Sequence, residues 1–255
     1  MFSPDRRRVV HYSCGSTSAV AAMLTIRKFR NVAVVNAFLR EEHEDNQRFL
    51  RDCEAWFGME IIQLRDEKYQ ASAYEVFRRE RFIKSRHGAS CSRRLKRDVL
   101  EAFHQPGDVA VIGFSIEEQD RADDFIDANN IPVEFPLIDA GLTKPDCLAL
   151  VERAGIQLPE MYRLGFNNAN CIGCPKGGKG YWNRVKTYFP DRFEEAAQIQ
   201  DALGPGSYFW PDESGEKGKR ISLRQLDPGA GRHDEPEIEC GFACLMAEKQ
   251  IDQCD

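Results

Sequence analysis

Five of the nine cysteines in this 255-residue chain have a spacing that suits chemistry. Cys171 and Cys174 are separated by two residues, Cys240 and Cys244 by three, and Cys91 stands apart from both pairs. Two thiolates separated by two residues can bind one metal ion or cluster, and a distant third thiolate fits zinc or an iron–sulfur cluster. A fourth iron of such a cluster would be open or held by Cys240 or Cys244. Without metal, the same thiols are candidate nucleophiles.

A second candidate site is a run of small residues between a predicted strand and a predicted helix. It consists of Ser13, Cys14, Gly15, Ser16, Thr17 and Ser18. Small residues let the backbone approach a ligand closely, and N–H groups at a helix N-terminus bind phosphate or sulfate. The alternative is an ordinary tight turn with a serine helix cap. The segment is not a Walker loop, because the Gly-Lys-Ser/Thr ending is absent.

Charge is distributed unevenly along the chain. The formal net charge is −6, yet residues 78–97 contain nine Lys/Arg and one acidic residue, Glu80. Such a basic segment around Cys91 would favour the thiolate and attract sulfate, phosphate or nucleic acid. The alternative is a solvated helix face. The overall negative charge argues against broad nonspecific nucleic-acid binding.

The elements that must position these residues alternate between strands and helices, which predicts an α/β fold with a Rossmann-like, doubly wound, mainly parallel sheet. Strands are predicted at 9–13, 32–38, 61–64, 109–114 and 133–137, and helices at 18–29, 46–57, 117–128, 144–154 and 191–203, with a basic helical segment at 78–104. We divide the chain into a nucleotide-binding core (1–140), a helical region carrying the Cys171/Cys174 loop (141–203), and an extended connector, with one hairpin, that leads to the Cys240/Cys244 tail (204–255).

The apolar runs of the chain are too short for a membrane segment. The longest run near the N-terminus is 19–24, far below the roughly 20 residues that span a bilayer. We expect no cleavable signal peptide and a cytoplasmic location. In that compartment cysteines are metal ligands, nucleophiles or buried small residues more often than disulfides.

Several segments, in a common order between residues 9 and 244, resemble the phosphoadenosine phosphosulfate (PAPS) reductase family of the adenine nucleotide alpha-hydrolase (PP-loop) superfamily. The loop from Ser13 to Ser18 is similar to S-G-G-x-D-S. Residues 41–46, which include His43, resemble the segment after the family's second strand. Gly113, Gln119 and Arg121 match G-[I/L]-R-R-x-Q-S-x-x-R, with the arginine one place early. Residues 165–174 and 239–242 resemble G-Y-x-S-I-G-C and E-C-G-L.

The resemblance implies thiol-dependent reduction of a sulfonucleotide, PAPS or adenylylsulfate (APS), to sulfite. The small-residue loop, His43 and Gly113 would bind the adenine nucleotide. Cys240 would attack the sulfur, Lys96 and Arg121 would hold the anionic groups, and a thiol reductant would complete the cycle. The chain departs from the superfamily at Thr17, where ATP pyrophosphatases carry Asp, and this removes a carboxylate that would assist magnesium-dependent ATP cleavage.

The alternative is a PP-loop ATP pyrophosphatase that inserts sulfur into nucleic acid, as in DNA phosphorothioation or tRNA thiolation. ATP with magnesium would then be the nucleotide, a sulfur donor protein the partner, and residues 78–97 a nucleic-acid contact. The metal site, with ligands Cys91, Cys171, Cys174 and Cys244, is predicted to hold an iron–sulfur cluster of the [4Fe-4S] type, with zinc as the other option. A noncatalytic nucleotide sensor is a third hypothesis. We expect no membrane partner, and a homodimer is compatible with the sequence.

Overall fold

A computed structural model describes residues 3, 5–85, 88–212 and 219–231. Its centre is a parallel five-stranded sheet with the order β3-β2-β1-β6-β7. These strands are β1 (Arg8–His11), β2 (Val32–Ala37), β3 (Ile61–Leu64), β6 (Val109–Val111) and β7 (Val133–Glu134), while β4 (Lys84–Ser85) with β5 (Gly88–Ala89) and β8 (Trp210–Pro211) with β9 (Arg220–Ile221) form two antiparallel hairpins. The predicted doubly wound α/β fold is confirmed.

Ten α-helices surround the sheet and fill the C-terminal part of the described chain. They are α1 (Ser16–Lys28), α2 (Asp45–Phe57), α3 (Ala73–Glu80), α4 (Asp98–Phe103), α5 (Gln119–Ala128), α6 (Pro136–Asp139), α7 (Lys144–Arg153), α8 (Glu160–Arg163), α9 (Lys179–Tyr188) and α10 (Pro190–Leu203). A π-helical turn at Ser92–Arg97 runs directly into α4. No helix in the described part of the chain is both long and apolar enough to cross a bilayer.

The central strands are buried on both faces, as expected for a parallel sheet. Val10 packs in one apolar cluster with residues of α1, α2 and α7, whereas Val9 packs on the opposite face with Leu100 of α4 and Phe125 of α5. From β1 the chain adds β2 and β3 on one side and later adds β6 and β7 on the other side, so the strand order reverses between β1 and β6. In open α/β sheets, ligands bind at this switch point, beyond the carboxyl ends of the strands.

A further apolar cluster lies beside the sheet and joins two distant parts of the sequence. It combines residues between 39 and 95 with residues between 161 and 226, and Trp182 lies at its centre, fully buried. The basic segment therefore packs against the helical C-terminal part, which brings Cys91 and Cys171 into one cluster.

Some predicted elements differ from the structure. The predicted helical segment at 78–104 is wrong in its middle: α3 ends at Glu80, and the hairpin of β4 and β5 precedes the π-helical turn. Arg81, the C-cap residue of α3, has a φ of 52°, a left-handed conformation that ends the helix here. The predicted strand at 133–137 stops at Glu134, because Pro136 cannot donate to a sheet and begins α6 instead. The hairpin expected in the connector is present as β8 and β9.

Candidate functional site

A pocket of about 520 Å³ opens at the switch point between β1 and β6. Its volume falls within the range of small-molecule and cofactor sites, roughly 300–1,000 Å³. The walls come from the ends of β1, β2 and β6, the start of α1, the π-helical turn and the loop before the cysteine pair. Three of the predicted loop residues line it, namely Ser13, Thr17 and Ser18. The pocket therefore forms where the sequence places the anion-binding loop.

The loop is closed by the hydroxyl of Ser18. This oxygen lies 3.1 Å from the Ser13 backbone N and 3.2 Å from Ser13 Oγ, and it donates to the Gly15 carbonyl at 2.9 Å. Gly15 is the N-cap of α1, the 13-residue helix that follows. Backbone N–H groups at the first turn of a helix are orphan donors that suit an anion. Ser18 thus shapes the loop, and Ser13 and Thr17 face the pocket.

Cys14 and Ser16 point away from the pocket. Cys14 has a φ of 57°, a left-handed conformation that favours glycine, and its thiol is fully buried 3.7 Å from the Asn36 amide. Burial raises the pKa of this thiol well above its ordinary value. The Ser16 hydroxyl is also buried and has no hydrogen-bond partner. Cys14, Gly15 and Ser16 are absent from the pocket wall, so these predicted contacts are limited to their backbone.

The pocket has an apolar wall and a charged wall. The apolar wall consists of Val35, Ala37, Leu100, Ile112 and Phe114, and the cationic side chains are those of Lys96, Arg97, Arg121 and Lys144. The Arg121 guanidinium lies 4.4 Å from the centre of the Phe114 ring and forms an ion pair with Glu118. An apolar surface beside several cations suits a ligand with a planar ring and anionic groups.

Gly113, at the end of β6, has a packing role. A Cβ atom at this position would lie 2.9 Å from Ser18 Cα and 3.0 Å from Ser18 N. The residue therefore lets the strand approach the start of α1 closely. Gly113 lines the pocket, and its lack of a side chain is required by the backbone of α1, so its role in nucleotide binding stays a prediction.

Lys96 lines both the nucleotide-sized pocket and a second, smaller cavity. Its ammonium lies 3.5 Å from Glu42 Oε1, and both side chains are largely buried, with 12% and 5% exposed. In an α-helix, residues i and i+5 point in directions about 140° apart. A π turn closes at i+5 and brings these residues toward one side. The π-helical turn thereby lets Cys91 and Lys96 share the smaller cavity.

The smaller cavity brings together three predicted metal ligands, Cys91, Cys171 and Cys174. All three side chains are buried, with 6%, 6% and 3% exposed. The loop that carries the pair is fixed to the segment after β2: the Ile172 N–H donates to the Glu41 carbonyl at 2.8 Å, and the Asn46 amide donates to the Ala169 carbonyl. Distant parts of the chain thus converge on one thiol site.

Tyr181 organises the loop between the paired cysteines. Its hydroxyl accepts hydrogen bonds from the backbone N–H groups of Gly173 and Cys174, at 2.9 and 3.0 Å, and donates to the Cys171 carbonyl at 2.7 Å. Lys84 provides a nearby cation whose ammonium donates to the Pro175 carbonyl. Burial lowers the pKa of Lys84 to about 8, and a charge on Cys174 would act in the opposite direction.

The donor atoms of the thiol site suit a metal, but the cavity between them is too small to hold one. Thiolates suit zinc and iron–sulfur clusters. However, the cavity has a volume of about 10 Å³, close to the minimum for one water molecule. In the described ranges no group of three or more His, Cys, Asp or Glu side chains is arranged to hold a metal ion. A cluster would require these side chains to move apart, so the ligand set of Cys91, Cys171 and Cys174 stays a prediction.

Other predicted site residues are not on the pocket wall. The His43 ring packs against Phe189, with centroids 5.7 Å apart, and its Nδ1 accepts a hydrogen bond from the Asp45 N–H. His43 is absent from the residues that line the pocket. Cys240 and Cys244 lie outside the described residues, so their predicted roles stay predictions.

The pocket also contains residues that sequence reasoning missed. His11, at the end of β1, lines it, as do Asn168, Asn170 and Lys144, whose Nζ donates to Asn168 Oδ1 at 3.0 Å. His11 could have been found from one signal, a polar residue at the carboxyl end of a strand that is otherwise apolar. The asparagines follow no such pattern and reach the pocket through tertiary packing.

The basic segment at 78–97 is largely neutralised by acidic neighbours. In the described part of this segment, several cations form ion pairs, namely Arg78 and Arg79 with Glu75, Arg94 with Glu80, Lys96 with Glu42, and Arg97 with Glu101. The local charge of the folded surface is therefore well below the charge counted from the sequence. Nucleic-acid binding at this segment stays a prediction.

Comparison with known proteins gives loose structural likenesses only. No family model and no curated protein matches the chain. Among solved structures, the chain is similar to the U34-tRNA thiolase NcsA from Methanococcus maripaludis with its [4Fe-4S] cluster. The two share 13% identity, the match covers 78% of this chain and 72% of that chain, and the TM-score is 0.37. A likeness this loose assigns neither family nor activity to the present chain.

Proposed function

We propose that this protein is an adenine-nucleotide-dependent enzyme of sulfur chemistry. One observation carries the proposal: the nucleotide-sized pocket and the three-cysteine cavity share Lys96 as a common wall. A ligand whose anionic groups reach Lys96 therefore lies next to buried thiols. Few reactions need a nucleotide pocket beside several thiols, and transfer of sulfur to or from a nucleotide-activated group is one of them.

Sulfur insertion into an activated acceptor is the reaction that the described geometry supports best. An oxygen of the acceptor would attack the α-phosphorus of ATP, and pyrophosphate would leave. The small-residue loop, Lys96 and Arg121 would hold the phosphates through N–H donors and cations. This proposal requires the thiols to be next to the nucleotide, and it is supported by the cavity of Cys91, Cys171 and Cys174, which shares Lys96 with the pocket.

The sulfur step can be written with the protein's own thiols. A sulfur donor protein would supply a persulfide on one cysteine of the cavity. Its terminal sulfur would attack the adenylated carbon of the acceptor, forming a carbon–sulfur bond while the carbon–oxygen bond breaks and the oxygen leaves with AMP. A second cysteine would then attack the first, releasing the thiolated acceptor and leaving a disulfide. An external thiol reductant would restore both thiols, which keeps electrons balanced.

Reduction of a sulfonucleotide is the second candidate, and the sequence Glu-Cys-Gly-Phe at residues 239–242 favours it. The thiolate of Cys240 would attack the sulfur of bound PAPS or APS, the phosphate oxygen would leave with the nucleotide, and sulfite would depart when a thiol reductant attacks the new sulfur–sulfur bond. This reaction depends on Cys240, which lies outside the described residues.

Product analysis separates these reactions. Protein purified without oxygen is incubated either with ATP and total tRNA as the acceptor or with PAPS, in the presence of a thiol reductant, and pyrophosphate and sulfite are measured. Pyrophosphate from ATP without sulfite from PAPS supports sulfur insertion, and sulfite from PAPS supports the reductase. Failure to bind either nucleotide, measured by calorimetry, would contradict the proposed function as a whole.

The prediction of a metal has an independent readout. Absorbance near 400 nm, with iron, sulfide and zinc analysis, is measured on the same anaerobic preparation. Matching iron and sulfide that disappear in Cys91→Ser, but not in a Cys147→Ser control, support a cluster. Cys147 is buried beside α1, in a different apolar cluster. A colourless protein without iron or zinc would leave the thiols as the reactive groups.

A further inference from the structure

A chain of polar contacts runs from the pocket wall to Asp108, the residue that precedes β6, and the proposed reaction does not use it. His11 Nε2 lies 2.9 Å from His104 Nε2. On the far side of His104, Nδ1 lies 3.8 Å from Asp108 Oδ2. Asp108 is held by Arg7 Nε at 3.0 Å and by the Gln105 N–H at 2.7 Å. The chain thus connects a pocket residue to a fixed carboxylate.

This chain determines which nitrogen of His11 carries hydrogen. A contact between two ring nitrogens at 2.9 Å contains one hydrogen, so one ring donates and the other accepts. The Asp108 carboxylate favours hydrogen on the nearer nitrogen of His104, Nδ1. His104 Nε2 is then the acceptor, and His11 Nε2 the donor. In this tautomer, His11 Nδ1 carries no hydrogen and is an acceptor.

Burial keeps both rings neutral. Burial, followed by the neighbouring His104, lowers the pKa of His11 to about 3. Burial also lowers the pKa of His104. The charge of Arg7 lowers this pKa further, whereas Asp108 and Glu101 raise it. The pocket adds Lys96, Arg97, Arg121 and Lys144 as cations and Glu42, Glu117 and Glu118 as carboxylates. His11 is thus a neutral ring across the physiological range.

The surroundings of His11 in the sheet are apolar. It pairs with Val35 of β2, and Ile112 and Leu100 line the same pocket. A planar ring of the ligand would pack against these side chains, which offer it no hydrogen bond. A buried N–H group without a partner is costly, whereas one that meets an acceptor is favoured. An imidazole acceptor within an apolar wall can therefore select among ligands of the same shape.

Building on the proposed nucleotide site, we propose that His11 is a specificity-determining residue that accepts a hydrogen bond from an N–H group of the ligand's heterocycle. The exocyclic amino group of adenine is such a group. His104 and Asp108 are positioning residues that hold His11 in the accepting tautomer. A heterocycle with a carbonyl at the same place would present a second acceptor to Nδ1 and bind more weakly.

The test compares ATP with inosine triphosphate, which has a carbonyl in place of the amino group. Binding of each is measured by calorimetry at pH 8. The wild type is expected to bind ATP about tenfold more tightly, and His11→Phe to bind both within about twofold. The control is Ile126→Ala, at an exposed residue that does not line the pocket, and it is expected to keep the preference. Equal binding of both nucleotides by the wild type, or a full preference in His11→Phe, would overturn the inference.

Further readouts separate positioning from folding. His104→Leu is expected to keep ATP binding and lose several-fold of the preference, because the tautomer of His11 is no longer fixed. A full preference in this variant would refute the role of His104. The ¹⁵N chemical shift of His11 Nδ1 in the wild type is expected to be that of an unprotonated nitrogen from pH 8 to pH 5, and a protonated signal contradicts the inference without any variant. If no nucleotide binds to the wild type, the proposed function fails first.

Discussion

Gly113→Ala is expected to destabilise the protein and weaken nucleotide binding through contact with the start of α1. A Cβ atom at Gly113 would lie 2.9 Å from Ser18 Cα, 3.0 Å from Ser18 N and 3.1 Å from Thr17 C. Ordinary van der Waals contacts begin at 3.4 Å, so the strand and the helix must separate by several tenths of an ångström. All three neighbours are backbone atoms, which cannot rotate away as a side chain would.

The size of the effect follows from the cost of overpacking. An additional methyl group in a closely packed site costs about 1–3 kcal/mol. For a protein of this size, that cost lowers Tm by roughly 2–12 °C. The same separation displaces Ser18, whose hydroxyl closes the loop onto Ser13, so we expect nucleotide affinity to fall by at least about tenfold.

Two glycine variants serve as controls, measured by thermal unfolding and calorimetric titration with ATP. A Cβ atom at Gly206 would have no neighbour within 4 Å, so Gly206→Ala should change neither quantity. At Gly15 the nearest atoms would be 3.6 Å away, so Gly15→Ala should fold normally and lose affinity only if the ligand approaches the loop backbone. A Gly113→Ala protein with wild-type Tm and affinity would refute the reasoning.

Three further predictions concern the anchors of the site. Tyr181→Phe removes the hydroxyl that bonds two backbone N–H groups and one carbonyl of the cysteine loop. We expect the free energy of urea unfolding to fall by roughly 2–4 kcal/mol and a thiol reagent to label Cys171 and Cys174 faster. An unchanged labelling rate would contradict this. Lys96→Met removes the ammonium beside the buried carboxylate of Glu42, which keeps its hydrogen bond from the Asn46 amide, and should cost about 3–5 kcal/mol. The double variant with Glu42→Gln should recover much of this loss, and purely additive losses would argue against the pair. The Arg7 guanidinium lowers the pKa of Asp108 below its usual 3.8, so its stabilisation is complete above that pH and is lost as the pH falls below it. Asp108→Asn should therefore unfold at lower urea than the wild type at pH 7, and the difference should be smaller at pH 3. A difference of the same size at both pH values would count against the ion pair.

The sheet could be predicted from the sequence because parallel strands leave a strong local signal. Buried strands such as Val109–Val111 are continuous apolar runs, and helices between them have their own period. The strand order reverses next to β1, which placed the small-residue loop at the ligand-binding edge. The fold class and the position of the pocket are therefore consequences of local pattern and general topology rules.

The basic segment shows why other features could not be predicted. A run of arginines between Arg78 and Arg97 has the composition of a helix, yet a hairpin interrupts it and acidic partners from elsewhere neutralise much of its charge. The π-helical turn likewise has no local sequence signal, and its effect on Lys96 depends on the two cavities that meet there. Tertiary context decides these features.

Within the candidate site, residue types were easier to predict than directions. Cys14 belongs to the predicted loop, but its left-handed backbone turns the thiol into the core. His43 follows β2 as the family pattern implies, yet it packs on Phe189. His11 was missed because an isolated histidine in a strand is usually a core residue, and the partner that gives it a role, His104, is 93 residues away in the chain.

The central claim, that a nucleotide bound in the pocket reaches the thiol site past Lys96, has one direct test. Adenosine carrying a reactive sulfonyl fluoride in place of the phosphates is incubated with the protein, and the modified residues are identified by mass spectrometry. We predict modification of Lys96 or of one of the cavity cysteines, with ATP protecting that residue. Modification that ATP does not prevent, or that falls on residues lining neither cavity, would contradict the account.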